Sequence, residues 1–371
     1  MERFDAIVIG GGAMGTATAR TLAERGRSTL LLERFTFGHG FGSSGGPTRI
    51  FRSSYADPAY VAMAKIAAEL WRELEDVAGV ELLRTTGGID VGGAAREPAA
   101  TVAASGIAIE RAHARDVMER WPGLQLPDEA EVYVQDDSGV LRAEATVRAQ
   151  AAVAARAGAD AREGAHVTAL RGVGDGVEVR TAEEEVFSAD VAVIAAGPWA
   201  PHVVADMGLD LTVAPSLEQV TYFALDDASP LPTVIERWDD GVHADYAVPD
   251  PWDPGAFKVG LHQGGIDVRS RPDDQPAAID ADRLARSTAH AAARFAPHHA
   301  TGVVDTCLYT NTPDQDFVLD RVGPVVVASP CSGHGFKFAP LIGRVVADLA
   351  SGDVPEVPLE RFALDRPALR R

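Results

Sequence analysis

The residues best suited to chemistry sit at the two ends of the chain. Near the start, Gly10, Gly12 and Gly15 spell G-x-G-x-x-G within GGGAMG. Glu33 follows about 20 residues later, the spacing at which a carboxylate can accept both hydroxyls of an adenosine ribose. Near the end, TCLYTNTPDQDF runs from Thr306 to Phe317 and sets Cys307 just before Tyr309 and a TPD turn. Only two cysteines occur in 371 residues, so one placed here raises a question of purpose. Its answer depends on what the glycine end binds.

The elements that must position the glycines are local and legible. FDAIVIGGGAMGTATARTLAERGRSTLLLER reads as strand, glycine turn, helix and second strand. Ala6 to Ile9 is a short, β-branched run bounded by glycine, the signature of a buried parallel strand. Gly10 permits a tight turn, Gly12 lets a pyrophosphate approach the backbone, and Gly15 lets helix and strand pack closely. The helix opening near Ala13 aims free N–H groups at the phosphates. Thr29 to Leu32 forms the second strand and Glu33 ends it. Glu33 disfavours a 2′-phosphate, and the motif by itself leaves NAD and FAD open.

Further along, DPAYVAMAKIAAELWRELEDVAG predicts a helix with Asp57 as N-cap and Pro58 at its first position. Met63, Ala67, Leu70, Trp71, Leu74 and Val77 would share its buried face. TGGIDVGG starts strand-like material, and AEATVRAQAAVAARAGAD predicts an Ala-rich helix closed by glycine. A β-meander around the VGDG turn precedes a buried strand, Val191 to Ala195, with Asp190 before it and the GPW turn after it. DADRLARSTAHAAARF predicts another helix. VGPVVVASP, from Val322, predicts a last buried strand, which SGHGFKFAP turns into the helix LIGRVVADLA.

The bulk numbers bound the function. The length allows two domains, and 46% apolar with 24% charged residues is ordinary soluble composition. A net charge of −20 argues against nucleic acid or an anionic membrane as partner. Two cysteines cannot build a disulfide framework, the N-terminus lacks the parts of a signal peptide, and no apolar run approaches the roughly 20 residues of a membrane span. The expectation is a soluble cytoplasmic protein with no metal site.

Seven segments together carry a resemblance. They are GGGAMG with Glu33, TRIFR at Thr48 to Arg52, AAGPW at Ala195 to Trp199, FKVGLH at Phe257 to His262, CLYTNTPDQDFVLD at Cys307 to Asp320, SGHGFKF at Ser332 to Phe338, and DRPAL near the C-terminus. In this order and spacing the chain resembles the amine-oxidising flavoproteins of the monomeric sarcosine oxidase type, related to N-methyltryptophan and pipecolate oxidases and to the D-amino-acid-oxidase-like superfamily. The resemblance covers nearly the whole chain and implies an α/β fold. In it a Rossmann-like FAD-binding domain accompanies a discontinuous second domain on a mixed, largely antiparallel sheet. Residues 1–83, 141–213 and 305–371 would form the FAD domain, and 84–140 with 214–304 the substrate domain.

By resemblance, Cys307 forms a thioether with the 8α-carbon of FAD, while Cys331 is an ordinary buried thiol. Arg52 and Lys337 match the family's carboxylate-binding pair, suited to it by a planar fork and a compact charge. Lys258 matches the residue assigned to oxygen activation, where a cation stabilises developing superoxide in a dry site. Arg49 matches an arginine close to the flavin, and His262 a histidine near the substrate. Tyr246 and Tyr309 match tyrosines lining the substrate side of the ring. The glycine-motif residues Gly10, Gly12, Ala13, Met14 and Gly15 are joined as implied cofactor contacts by Glu33, Arg34, Ser43, Ser44, Thr48 and Arg49. Val167, Ala196, Gly197 and Trp199 follow, and then Gly333, Gly335, Phe336 and Lys337. SGHGFKF would also direct helix N-terminal N–H groups at the flavin pyrimidine edge.

The implied reaction is oxidation of a secondary or N-methyl amino acid, with hydride passing to flavin N5, hydrolysis of the imine, and O2 reduced to H2O2 by a monomeric enzyme. A cyclic imino acid oxidase, a tailoring oxidase of secondary metabolism, or a dehydrogenase with another acceptor are the competing readings. One departure bears on the choice. Position 45 is Gly where the family often has histidine, and the missing side chain is expected to enlarge or rehydrate the space near the flavin.

Overall fold

The computed structural model describes residues 1–268 and 279–370. At its centre, four parallel strands from distant parts of the chain lie side by side. Glu2–Ile9 pairs with Thr29–Leu32 on one edge and with Val186–Ile194 on the other, and Val186–Ile194 pairs in turn with Val325–Ser329. The registers align Ile9 with Leu32 and Ile194, and Ile194 with Val327, so the carboxyl ends of all four strands finish level. The turns that follow are the glycine loop, Glu33, AAGPW and the approach to SGHGFKF. They emerge together at the edge where open α/β sheets bind ligands. Asp160–Arg162 extends this eight-stranded sheet beyond Thr29–Leu32, and antiparallel strands complete it. The sheet's residues and the helices Ala13–Glu24, Pro58–Ala78 and Ala339–Ser351 bury one large apolar core.

Local chemistry explains most element ends. The first helix begins at Ala13, and Gly15 sits in its first turn with an ideal Cβ only 1.8 Å from the Gly10 carbonyl oxygen. No side chain fits there, which is why glycine closes the motif. Pro58–Ala78 starts with the Asp57 carboxylate accepting from the Ala59 N–H at 2.8 Å and ends at left-handed Gly79. Its expected buried face holds from Met63 to Leu74, but Val77 is 52% exposed. In this last turn the backbone carbonyl of Val77, not its side chain, meets a neighbour, Arg156.

The buried strand expected at Val191–Ala195 is not separate. It is the second half of Val186–Ile194, and Asp190 lies inside it, exposed and paired with Arg3. The first half pairs with Gly176–Thr181 and shows alternating burial; the second half pairs along the same edge with Val325–Ser329 and is buried throughout. A change of neighbour mimics a boundary.

A second, nine-stranded sheet is largely antiparallel, with one parallel pair, Gly88–Val91 against Thr233–Arg237. Its spine is Ala214–Leu225, flanked by Ala256–His262 and by the long strand His298–Asn311. Phe223, Phe257 and Phe295 form an aromatic stack behind it. A small third sheet joins Thr48–Phe51, Gly139–Arg142 and Leu83–Thr85. The expected segment limits near 84, 141 and 305 all fall inside strands. Cys307 thus sits in the second sheet, opposite Glu218 on Ala214–Leu225. Turn signals in sequence do not register the non-local partner that continues a strand.

Candidate active site

A cavity of about 1240 Å³ opens between the two larger sheets and the small one. Every candidate cofactor, substrate and catalytic residue named from the sequence lines it except Gly15, whose part is the helix–strand packing already described.

At the glycine end, the Glu33 carboxylate is 4% exposed. It accepts from the Gly11 N–H at 2.6 Å and the Phe35 N–H at 2.7 Å, and His39 Nε2 stands 3.4 Å away. Burial works to raise its pKa, but the hydrogen bonds from His39 and the two N–H groups outweigh burial and hold it below the usual range. Ser44 Oγ accepts from the Ala13 N–H at 3.1 Å, tying the loop at 43–44 to the helix N-terminus. Arg34 stacks over Phe35 and Trp199, at 5.1 and 6.0 Å. Val167, Ala196 and Gly197 close this end. The residues fit a flavin dinucleotide. Ser43 Oγ is buried with no hydrogen-bond partner among the described residues. Glu33 keeps acceptor capacity, since a carboxylate offers about four lone-pair sites. The glycine turn is bare of side chains where a pyrophosphate would lie.

Beyond lies a cationic floor. Lys258, 5% exposed, donates from Nζ to the Thr48 carbonyl at 2.7 Å. Burial, with Arg49 nearby, pushes its pKa down to about 7. The Arg49 guanidinium is held by three carbonyls, those of Thr48, Ser43 and Gly45, and lies 5.8 Å over the Phe336 ring. Burial pushes the Cys307 thiol up, while Arg49 and Lys258 pull it back. Tyr246 and Tyr309 both have raised pKa values, chiefly through burial. The His262 ring lies 5.7 Å from that of Tyr309; burial first, then Arg52 and Lys337, lower its pKa to about 3, so it is neutral at pH 7.

The third group is a pair of cations on one aromatic ring. Arg52 lies 4.3 Å over the Tyr55 ring, and Lys337 Nζ reaches the Tyr55 hydroxyl at 2.8 Å and the His334 carbonyl at 2.7 Å. Both pKa values are depressed, first by burial and then by charge: Lys337 by Arg52, and Arg52 by Arg237. Trp71 Nε1 fixes the backbone by donating to the Lys337 carbonyl at 2.7 Å. No ion pair to either cation occurs among the described residues.

One expectation needs correction. The space at Gly45 is not vacant: an ideal Cβ there would stand 2.7 Å from Gly40 Cα and 3.0 Å from the His39 carbonyl oxygen. The loop backbone has closed over the missing side chain. In SGHGFKF, the His334 and Gly335 N–H groups donate to the Cys331 carbonyl, and the helical turn opens after them at Phe336. Sequence reasoning also missed Tyr55, Arg237 and His334, all of which line the cavity. Tyr55 and Lys337 are 282 residues apart, and nothing in their local patterns pairs them.

Comparison with known proteins gives the family and the fold. Over 97% of its length the chain is 34% identical to 96% of the monomeric sarcosine oxidase of Streptomyces avermitilis. Over 98% it is 29% identical to 99% of the N-methyl-L-tryptophan oxidase of Citrobacter koseri. Among solved structures, NikD, an unusual amino acid oxidase essential for nikkomycin biosynthesis, superposes with a TM-score of 0.87 at 26% identity, covering 98% of both chains. The FAD dependent oxidoreductase family matches residues 5–349, and the chain belongs to that family.

Proposed function

We propose that this FAD-dependent oxidoreductase oxidises a secondary or N-methylated amino acid and delivers the electrons to O2. The observation that carries the reading is the Arg52–Tyr55–Lys337 group. Two buried cations facing a cavity without an acidic partner, in a chain of net charge −20, form a receptor for one carboxylate. Arg52 can present two parallel N–H donors and Lys337 a point charge. The relatives named sarcosine oxidase and N-methyl-L-tryptophan oxidase support an amino acid whose nitrogen carries a carbon substituent.

FAD, when bound, supplies the two-electron acceptor for the C–H bond next to nitrogen and returns those electrons to O2, yielding H2O2. The protein's residues do the rest. Arg52 and Lys337 hold the carboxylate and so fix which C–H faces the ring. Tyr246, Tyr309 and neutral His262 wall the amine and exclude water, and the oxidised product leaves as an imine that water hydrolyses. Lys258 and Arg49 place positive charge where O2 gains electrons, in a site too dry to screen it. Cys307 lies on the cavity wall near both cations, consistent with a thioether to the flavin 8α-carbon. Residues 1–83, 141–213 and most of 305–371 are proposed to hold the nucleotide, and the second sheet to carry the substrate wall. A cytoplasmic monomer completes the reading. No helix among the described residues is long and apolar enough to cross a membrane.

A peroxide assay across sarcosine, other N-methyl amino acids, proline and pipecolate tests this. Substrate-dependent peroxide from N-methyl acids is expected. Preference for proline or pipecolate would move the assignment to cyclic imino acids, and bleaching of the flavin without peroxide would make the enzyme a dehydrogenase.

A further inference from the structure

Arg52 does not hold its own position. Its NH1 donates to both the carbonyl and the hydroxyl of Ser54, a residue 1% exposed. The same Ser54 carbonyl accepts a second guanidinium, Arg237 NH2, at 3.0 Å. Arg237 in turn donates from Nε to the Asp90 carboxylate at 2.8 Å, and Asp90 is 6% exposed. Strand register sets that pair. Gly88–Val91 and Thr233–Arg237 form the one parallel ladder of the second sheet, with Ile235 opposite Asp90 and Glu236 opposite Val91. Arg237 leaves the end of its strand directly into the cavity wall.

The charges make this more than packing. Two guanidiniums on one carbonyl repel each other, and Arg237 destabilises the charged form of Arg52 while Asp90 favours it. Asp90 therefore keeps two like charges together around Ser54. Without it, Arg237 has no reason to remain on that carbonyl, and Arg52 loses the fixed geometry a carboxylate needs.

We infer that Asp90 and Arg237 are a positioning pair for Arg52, holding it through the shared Ser54 carbonyl in the orientation that receives the substrate carboxylate. The inference rests on the carboxylate reading given above. Asp90 stands behind the cavity lining and Arg237 reaches its wall; both act on affinity through Arg52.

Acetate is the probe, its Kd read from the perturbation of bound-FAD absorbance in the holoprotein. Arg237→Gln is expected to raise that Kd about tenfold, roughly one step of 1.4 kcal/mol. Asp90→Asn is expected to raise it as well, although it removes a negative charge from beside an anion site. A pure field effect has the opposite sign, and tighter or unchanged acetate binding in Asp90→Asn would overturn the inference. In an Arg52→Lys background the effect of Asp90→Asn should largely vanish, because its target has gone; an undiminished effect would count as structural damage and against the pair. Should Asp90→Asn not be recovered with FAD, Arg237→Lys, which keeps the charge but not the fork, is expected to weaken acetate severalfold, and wild-type affinity would refute the role. If acetate fails to bind wild type, or Arg52→Gln leaves its Kd unaltered, the carboxylate reading falls and this inference with it. Loss in Arg52→Gln alone sinks only the inference.

Discussion

Lys258 and Thr48 join two sheets by one hydrogen bond: the Lys258 ammonium, on Ala256–His262, donates to the Thr48 carbonyl at 2.7 Å. Thr48 opens the strand that also carries Arg49 and leads to Arg52. A buried cation with one carbonyl partner and an arginine beside it is poorly solvated, and its charge acts strongly on whatever fills the cavity.

Lys258→Met should therefore slow reoxidation of the reduced enzyme by O2 by about 10²–10³-fold, the typical loss of one preorganised charge donor. Anaerobic reduction by substrate should change only a few-fold. Stopped-flow measurement of the two half-reactions separates them, and equal slowing of both would remove Lys258 from the oxygen step.

The same lysine leaves a mark on stability. Its pKa falls from 10.5 to about 7 on folding, so between those values the unfolded chain binds more protons than the native one. Stability gained from this group then rises with pH across that window, by at most about 1.4 kcal/mol per pH unit. Urea unfolding of wild type against Lys258→Met should show wild type gaining on the variant from pH 7 upward. A constant difference would contradict the lowered pKa of the buried lysine.

Arg52→Gln and Lys337→Gln each remove half of the carboxylate receptor. Each should cost about 2–4 kcal/mol of binding, roughly 30- to 1,000-fold in KM, with a smaller effect on kcat. Steady-state kinetics with the best substrate of the panel gives the answer. A loss confined to kcat would mean the carboxylate binds elsewhere.

Cys307→Ser should yield a folded protein whose flavin separates from the polypeptide in acid, whereas Cys331→Ser should keep a fluorescent band on a denaturing gel. Cys331 Sγ accepts from the Thr310 N–H at 3.2 Å, while at Cys307 burial raises the thiol pKa and Arg49 and Lys258 only partly offset it, so a thioether there must form against that cost. A band that survives Cys307→Ser would exclude the thioether there.

Gly45→His would restore the residue common in the family but should destabilise this chain by about 1–3 kcal/mol, because its Cβ meets Gly40 and His39 backbone rather than open space. Thermal unfolding decides the sign, and an unchanged or raised Tm would show that the loop can retreat.

The nucleotide half was readable from residues close in sequence. A strand, three glycines, a helix and an acid at the second strand's end each have a short-range cause, and so do the Asp57 cap and the Gly79 stop. Family motifs pointed to particular cations and one thiol, and the structure brings them to one cavity. The motifs did not convey how these residues meet, nor that loop backbone occupies the place a side chain at position 45 would need.

The sequence by itself determined that a dinucleotide would lie on the level ends of parallel strands, and that a small set of cations would act near it. Only the tertiary structure decided that Arg52 and Lys337 share Tyr55, that Lys258 rests on Thr48, and that Asp90 and Arg237 stand behind Arg52. The reason is physical. Turns, caps and periodicity are set by interactions within a few residues. The Lys258 and Arg237 pairings depend on the register of strands far apart in the chain, where a shift of one residue would turn the side chain to the opposite face, and the Tyr55–Lys337 contact depends on how a distant loop and helical turn pack together.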